Sequence, residues 1–119
     1  MRNDPVRILI VDDDHDVLIE LERLLEDQGY STATAWSSRE ALALADKFRF
    51  DLLLVDEHLG DIDRRALLDE LARRQPHALP CSMHTTREVV NNRSAIQPAT
   101  VCKWEHAAVK AMVRRCLVA

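Results

Sequence analysis

A chain of 119 residues, 47% hydrophobic and 30% charged with a formal net charge of -4, has the make-up of one globular domain that buries its core without disulfides or metal. No apolar run approaches the ~20 residues of a membrane span, and acid interrupts the N-terminal apolar run where a signal peptide would need it to continue. With no basic aromatic stripe either, the expectation is a cytoplasmic domain, residues 1–119, that binds neither membrane nor nucleic acid directly.

The charge is unevenly spread: residues 1–63 hold 16 acids against 6 bases, and residues 64–119 hold 10 bases against 4 acids. Cys81, Cys102 and Cys116 are odd in number, include no CxxC pair and lie in apolar surroundings. They read as small core residues, not as a disulfide framework or a zinc site.

Arg7 to Val11, RILIV, is a β-branched run that stops at Asp12, Asp13 and Asp14, a strand ending in carboxylates. Val17, Leu18, Leu21, Leu24 and Leu25 follow at helical spacing, and Gly29 supplies the stop. Ser31 to Ala35 has the character of a weak second strand. Ser37 and Glu40 then have the spacing of a capping box ahead of a helix carrying Ala41, Leu42, Leu44, Ala45 and Phe48.

Asp51 to Val55 is nearly continuous apolar sequence running into Asp56, as in a buried parallel strand. A helix over Arg64 to Arg74 is expected next, with Ala66, Leu67, Leu68 and Leu71 facing inward. Leu79 to His84 predicts a fourth strand, ending at Thr85 and Thr86. Between Arg87 and Ala99 two asparagines and few large apolar residues predict only a short or disordered fourth helix. Thr100 to Cys102 predicts a brief fifth strand that delivers Lys103, and Val109, Met112, Val113, Cys116 and Leu117 form the stripe of a final helix. Five alternations of strand and helix imply an α/β doubly wound parallel sheet, for which the flavodoxin-like order is the common choice.

Parallel strands present their carboxyl ends at one edge, so Asp12, Asp13 and Asp56 should converge there with Thr85 and Lys103. Taken singly, each has a plainer reading: a helix cap for one of the first acids, a turn residue at Asp56, a solvated Thr85 and a solvated Lys103. Taken together they have a chemical logic. Carboxylates so close do not stay ionised without a cation, and Mg²⁺ with oxygen ligands answers that need. A phosphoryl group received on Asp56, at the end of the central strand, would then meet the metal, the Lys103 ammonium and the Thr85 hydroxyl.

At these residues the chain resembles the receiver domains of bacterial two-component response regulators, the CheY-like family. ILIVDDDHDV at the first strand, LLLVDEHLGDID around Asp56, the threonine after the fourth strand and the lysine after the fifth carry the resemblance along essentially the whole chain. It implies that Asp13 ligates Mg²⁺ directly, that Asp12 assists largely through water, and that Asp56 is phosphorylated and also binds the ion. It further implies a backbone-carbonyl ligand at His58, a switch hydroxyl at Thr85, and Lys103 paired with the phosphoryl group. The expected partners are a histidine kinase or phosphotransfer protein and a downstream protein. The only reactions expected of the domain itself are phosphoryl acceptance and autodephosphorylation.

The sequence departs from the family pattern at Gly60, Asp61 and Arg64, where receivers carry a Pro-Gly and a later Gly. It departs again at Thr86, where a small residue is usual, and at Thr100, where an aromatic is usual. Trp104 stands where a proline usually follows the lysine, and the Lys103–Trp104 peptide is expected to be trans, since a non-proline cis bond costs ~3 kcal/mol. These departures leave two alternatives: a phosphorylation-independent pseudo-receiver that serves as an interaction module, and a phosphohydrolase of the haloacid dehalogenase type using Asp12, Asp14 and Asp16.

Overall fold

The computed structural model describes residues 5–57, 59, 64–84 and 99–117. Among these, five strands form one parallel sheet: β1 (Arg7–Val11), β2 (Ser31–Ala35), β3 (Leu52–Asp56), β4 (Leu79–His84) and β5 (Ala99–Cys102), in the order β2-β1-β3-β4-β5. Four helices accompany them: α1 (His15–Glu26), α2 (Ser38–Lys47), α3 (Arg64–Arg74) and α4 (His106–Leu117). The expected doubly wound, flavodoxin-like architecture is the one found. The segment expected to form a short or disordered fourth helix lies outside the described residues.

Both faces of the sheet are covered, which is why its central strands are apolar at successive positions instead of alternating. On one face Ile8, Ile10, Leu52, Leu54, Cys81, Met83 and Val101 meet Val17, Leu21 and Leu25 of α1 and Val109 and Val113 of α4. On the other, Leu9, Val11, Leu53 and Val55 meet Ala41 and Ala45 of α2 and Leu67 and Leu71 of α3. Two apolar residues of the expected helices are not core. Ala66 is exposed on α3. Phe48 is 45% exposed, because it lies past the end of α2 in extended backbone, with the Arg7 guanidinium 5.3 Å from its ring centre.

Local chemistry sets the element ends. Ser37 accepts a hydrogen bond from the Glu40 amide at 3.2 Å, as the capping spacing predicts. After α1 the chain turns through Gly29 at φ 93°, a conformation open to glycine, and its amide donates to the Glu26 carbonyl at 2.9 Å. β3 begins one residue later than the apolar run. It includes Asp56 as its last residue, while Asp51 stays outside and its carboxylate accepts from the Arg7 amide at 2.9 Å.

Gln75, just past α3, plays a part that its polarity concealed. Its side-chain oxygen accepts from the Phe50 amide at 3.0 Å, and its nitrogen donates to the carbonyls of Ala45 at 2.7 Å and Phe48 at 2.6 Å. One buried side chain therefore satisfies three backbone groups of the link between α2 and β3.

Candidate functional site

The sheet order places β1 beside β3, with Val11 opposite Val55. Asp12 and Asp56 therefore emerge side by side at the carboxyl edge. Ligand oxygens of Asp12, Asp13 and Asp56 all lie within 4.8 Å of one another. Asp12 and Asp56 are buried, at 0% and 2% exposure, and Asp13 is exposed at the rim.

The run of acids after β1 divides its labour. Asp14 caps α1, accepting from the amides of Asp16 at 2.9 Å and Val17 at 3.4 Å. Asp12 turns the other way, with one oxygen accepting from the Asp14 amide at 2.9 Å and the other from Lys103 Nζ at 2.8 Å. Its own amide is held by the Ala35 carbonyl at 3.0 Å.

Lys103 arrives from the far side of the sheet. Its amide donates to the His84 carbonyl at 3.0 Å, which fixes the turn after β5. Its ammonium reaches Asp12, stands 3.5 Å from Asp56 Oδ1, and lies 5.6 Å from the centre of the Trp104 ring. Burial opposes the charged lysine, but the hydrogen bond to Asp12 and the negative charges of Asp12 and Asp56 outweigh it and hold the ammonium above its ordinary value. The Lys103–Trp104 peptide is trans, since no cis peptide occurs among the described residues. Trp104, where the family pattern has proline, instead offers the ammonium an aromatic face.

Three carboxylates against one ammonium leave two negative charges in a largely buried pocket whose donors are all oxygen. That donor set fits a hard divalent cation such as Mg²⁺. Of the residues expected to share the site, Asp12, Asp13, Asp56 and Lys103 come together. Thr85 and His58 lie outside the described residues. Sequence reasoning missed the direct contact between Lys103 and Asp12. The only signal for it was the pairing of a lone basic residue at one strand end with an excess of acid at two others.

Solved structures repeat this fold. A response regulator receiver domain protein from Methanospirillum hungatei is 25% identical, with a TM-score of 0.74 and coverage of 95% of this chain and 94% of that one. The chemotaxis protein CheY4 of Vibrio cholerae, 21% identical with a TM-score of 0.83 and coverage of 96% and 100%, is similar in fold. Among curated relatives, the transcriptional regulatory protein PrrA of Mycobacterium tuberculosis is 33% identical over 92% of this chain and 50% of its own length. The response regulator MprA of Mycolicibacterium vanbaalenii is 38% identical over 76% of this chain and 39% of its own. The chain thus spans half or less of the length of these relatives. The model of the response regulator receiver domain matches residues 8–101, from within β1 to within β5. With the fold, the acidic edge and that match in agreement, the chain belongs to the response regulator receiver domain family.

Proposed function

We propose that this receiver domain takes a phosphoryl group on Asp56 from a phosphohistidine of a histidine kinase or phosphotransfer protein, and that the modified pocket changes its affinity for a downstream protein. The observation that carries this reading is the convergence of Asp12, Asp13 and Asp56 on Lys103 at one sheet edge. In the transfer, an Asp56 carboxylate oxygen forms the new bond to phosphorus while the bond from phosphorus to the imidazole nitrogen breaks. Lys103 faces the site where charge spreads over the phosphoryl oxygens.

Asp13 and Asp56 would hold Mg²⁺ directly and Asp12 from behind, since both Asp12 oxygens already have partners. When bound, the ion neutralises phosphoryl charge. By the family pattern the His58 carbonyl completes the metal site and the Thr85 hydroxyl meets the phosphoryl group. The commitment of Asp14 to capping α1 argues against a phosphohydrolase built on Asp12, Asp14 and Asp16.

The test is labelling with acetyl phosphate, or trapping with beryllofluoride, in the presence of Mg²⁺. The wild type is expected to gain one phosphoryl group from acetyl phosphate, with release of acetate, or to bind one beryllofluoride, and Asp56→Asn or excess chelator to abolish the gain. Label persisting in Asp56→Asn would move the acceptor elsewhere. Partner binding that ignored the label would instead favour a phosphorylation-independent interaction module.

A further inference from the structure

Two of the three cysteines lie side by side, away from the carboxylate pocket. Cys81, in the middle of β4 and 1% exposed, belongs to the apolar layer beneath α1 and α4. Cys116, half-buried in the last turn of α4, packs against the same layer. Their sulfurs are 3.8 Å apart and both thiols are free. Cys102 is also buried, but Val101 beside it faces this layer, so strand alternation turns Cys102 to the opposite face of the sheet.

A disulfide has its sulfurs ~2.05 Å apart, so each sulfur here needs to move by ~1 Å. The final turn of a helix, where carbonyls lack intrahelical partners, is the part of α4 best able to yield that distance. We propose that Cys81 and Cys116 are a peroxide-responsive dithiol whose oxidised form ties the middle of β4 to the last turn of α4.

The two thiols take different roles. Burial pushes the Cys81 thiol up, and the neighbouring Cys116 sulfur adds to the effect, so Cys81 is poorly suited to attack first. The Cys116 thiolate, nearer to solvent, attacks one oxygen of hydrogen peroxide; a sulfur–oxygen bond forms, the oxygen–oxygen bond breaks, and hydroxide leaves and is protonated to water. The Cys81 sulfur then attacks the sulfenic sulfur, giving up its proton as the sulfur–oxygen bond breaks and a second water departs. Two thiols are oxidised to one disulfide, and one peroxide is reduced to two waters. Contact between the sulfurs favours this closure over further oxidation of Cys116. In a reducing compartment the pair rests as thiols and the bond forms only transiently.

The bond would have a mechanical reach. Cys81 pairs across the sheet with Leu54, and Met83, two residues on, pairs with Asp56. Fixing β4 to α4 therefore fixes the strand that flanks the carboxylate edge.

The full chain, reduced and freed of reductant, is treated with a small excess of hydrogen peroxide, then denatured and alkylated. Before alkylation, titratable thiols are expected to fall from three to one and the intact mass to drop by two hydrogens, and the chain should stay monomeric on a non-reducing gel. Peptide mapping should join Cys81 to Cys116 and find Cys102 alkylated. Cys102→Ser should still form the bond, and Cys116→Ser should keep both remaining thiols free. Three surviving thiols, a bond that includes Cys102, a disulfide-linked dimer, or Cys116 passing to sulfinic acid without cross-linking would each overturn the proposal.

Discussion

Lys103 and Asp12, 91 positions apart in sequence, meet at 2.8 Å with both side chains buried. Breaking a buried pair leaves the surviving charge without compensation, at a cost of about 3 kcal/mol. Lys103→Met should therefore destabilise the metal-free domain by about that amount. The same change leaves three carboxylates with no lysine, so Mg²⁺ should bind more tightly and recover part of the loss. Urea unfolding with and without Mg²⁺ checks both parts; a mutant equally destabilised in each condition would separate the lysine from the metal pocket.

The pair also carries a pH signature. The lysine pKa is raised in the folded state, so its contribution to stability is fully present below the unfolded value near 10.5 and is lost as pH rises through the higher folded value. The gap in unfolding midpoint between wild type and Lys103→Met is expected to stay constant from pH 7 to about pH 10 and to shrink above about 10.5. A gap that closed below about pH 9 would place the lysine in a different environment.

Adjacent acids should fail in different ways. Asp14→Ala removes the cap of α1 and should cost about 1 kcal/mol while leaving Mg²⁺ affinity nearly unchanged. Asp13→Ala removes an exposed carboxylate and should weaken Mg²⁺ binding while changing stability little. Thermal unfolding paired with a Mg²⁺ titration distinguishes them, and Trp104, in contact with the lysine, offers a fluorescence reading of the pocket.

Gln75→Leu should be among the more damaging substitutions outside the carboxylate pocket. It strands the buried Phe50 amide and Ala45 carbonyl, each worth about 1 kcal/mol or more when left unpaired, and releases the part-buried carbonyl of Phe48. A loss of about 2 kcal/mol in urea unfolding is expected, with Mg²⁺ affinity retained.

The fold was legible because the central strands are buried on both faces and so are written as unbroken apolar runs, ILIV and LLLV, that stop on acids. Asp12 and Asp56 were legible for the same reason: a carboxylate at the end of such a run has only the sheet edge to occupy. The partner of Lys103 was not, since strand order brings the lysine to an edge bearing several acids and only three-dimensional geometry selects Asp12. Gln75 was hidden in a different way, because a glutamine after a helix reads as solvated until the carbonyls it serves are located. Phe48 and Ala66 misled because hydrophobicity at helical spacing says nothing about where a helix ends or which margin of its stripe is covered.

The position of Lys103 also bears on how the domain assembles. During synthesis, β1 and β3 can pair and bring Asp12 beside Asp56 long before residue 103 exists, so the growing chain would concentrate buried negative charge with no internal counterweight. The closing contact spans 91 positions, and contacts so distant in sequence form late because they carry a large loop-closure cost. The lysine thus acts as a latch on completion: the acidic edge gains its internal counter-charge only when β5 has docked, and a chain stalled before that point would lean more heavily on dissolved cations to hold its strands together.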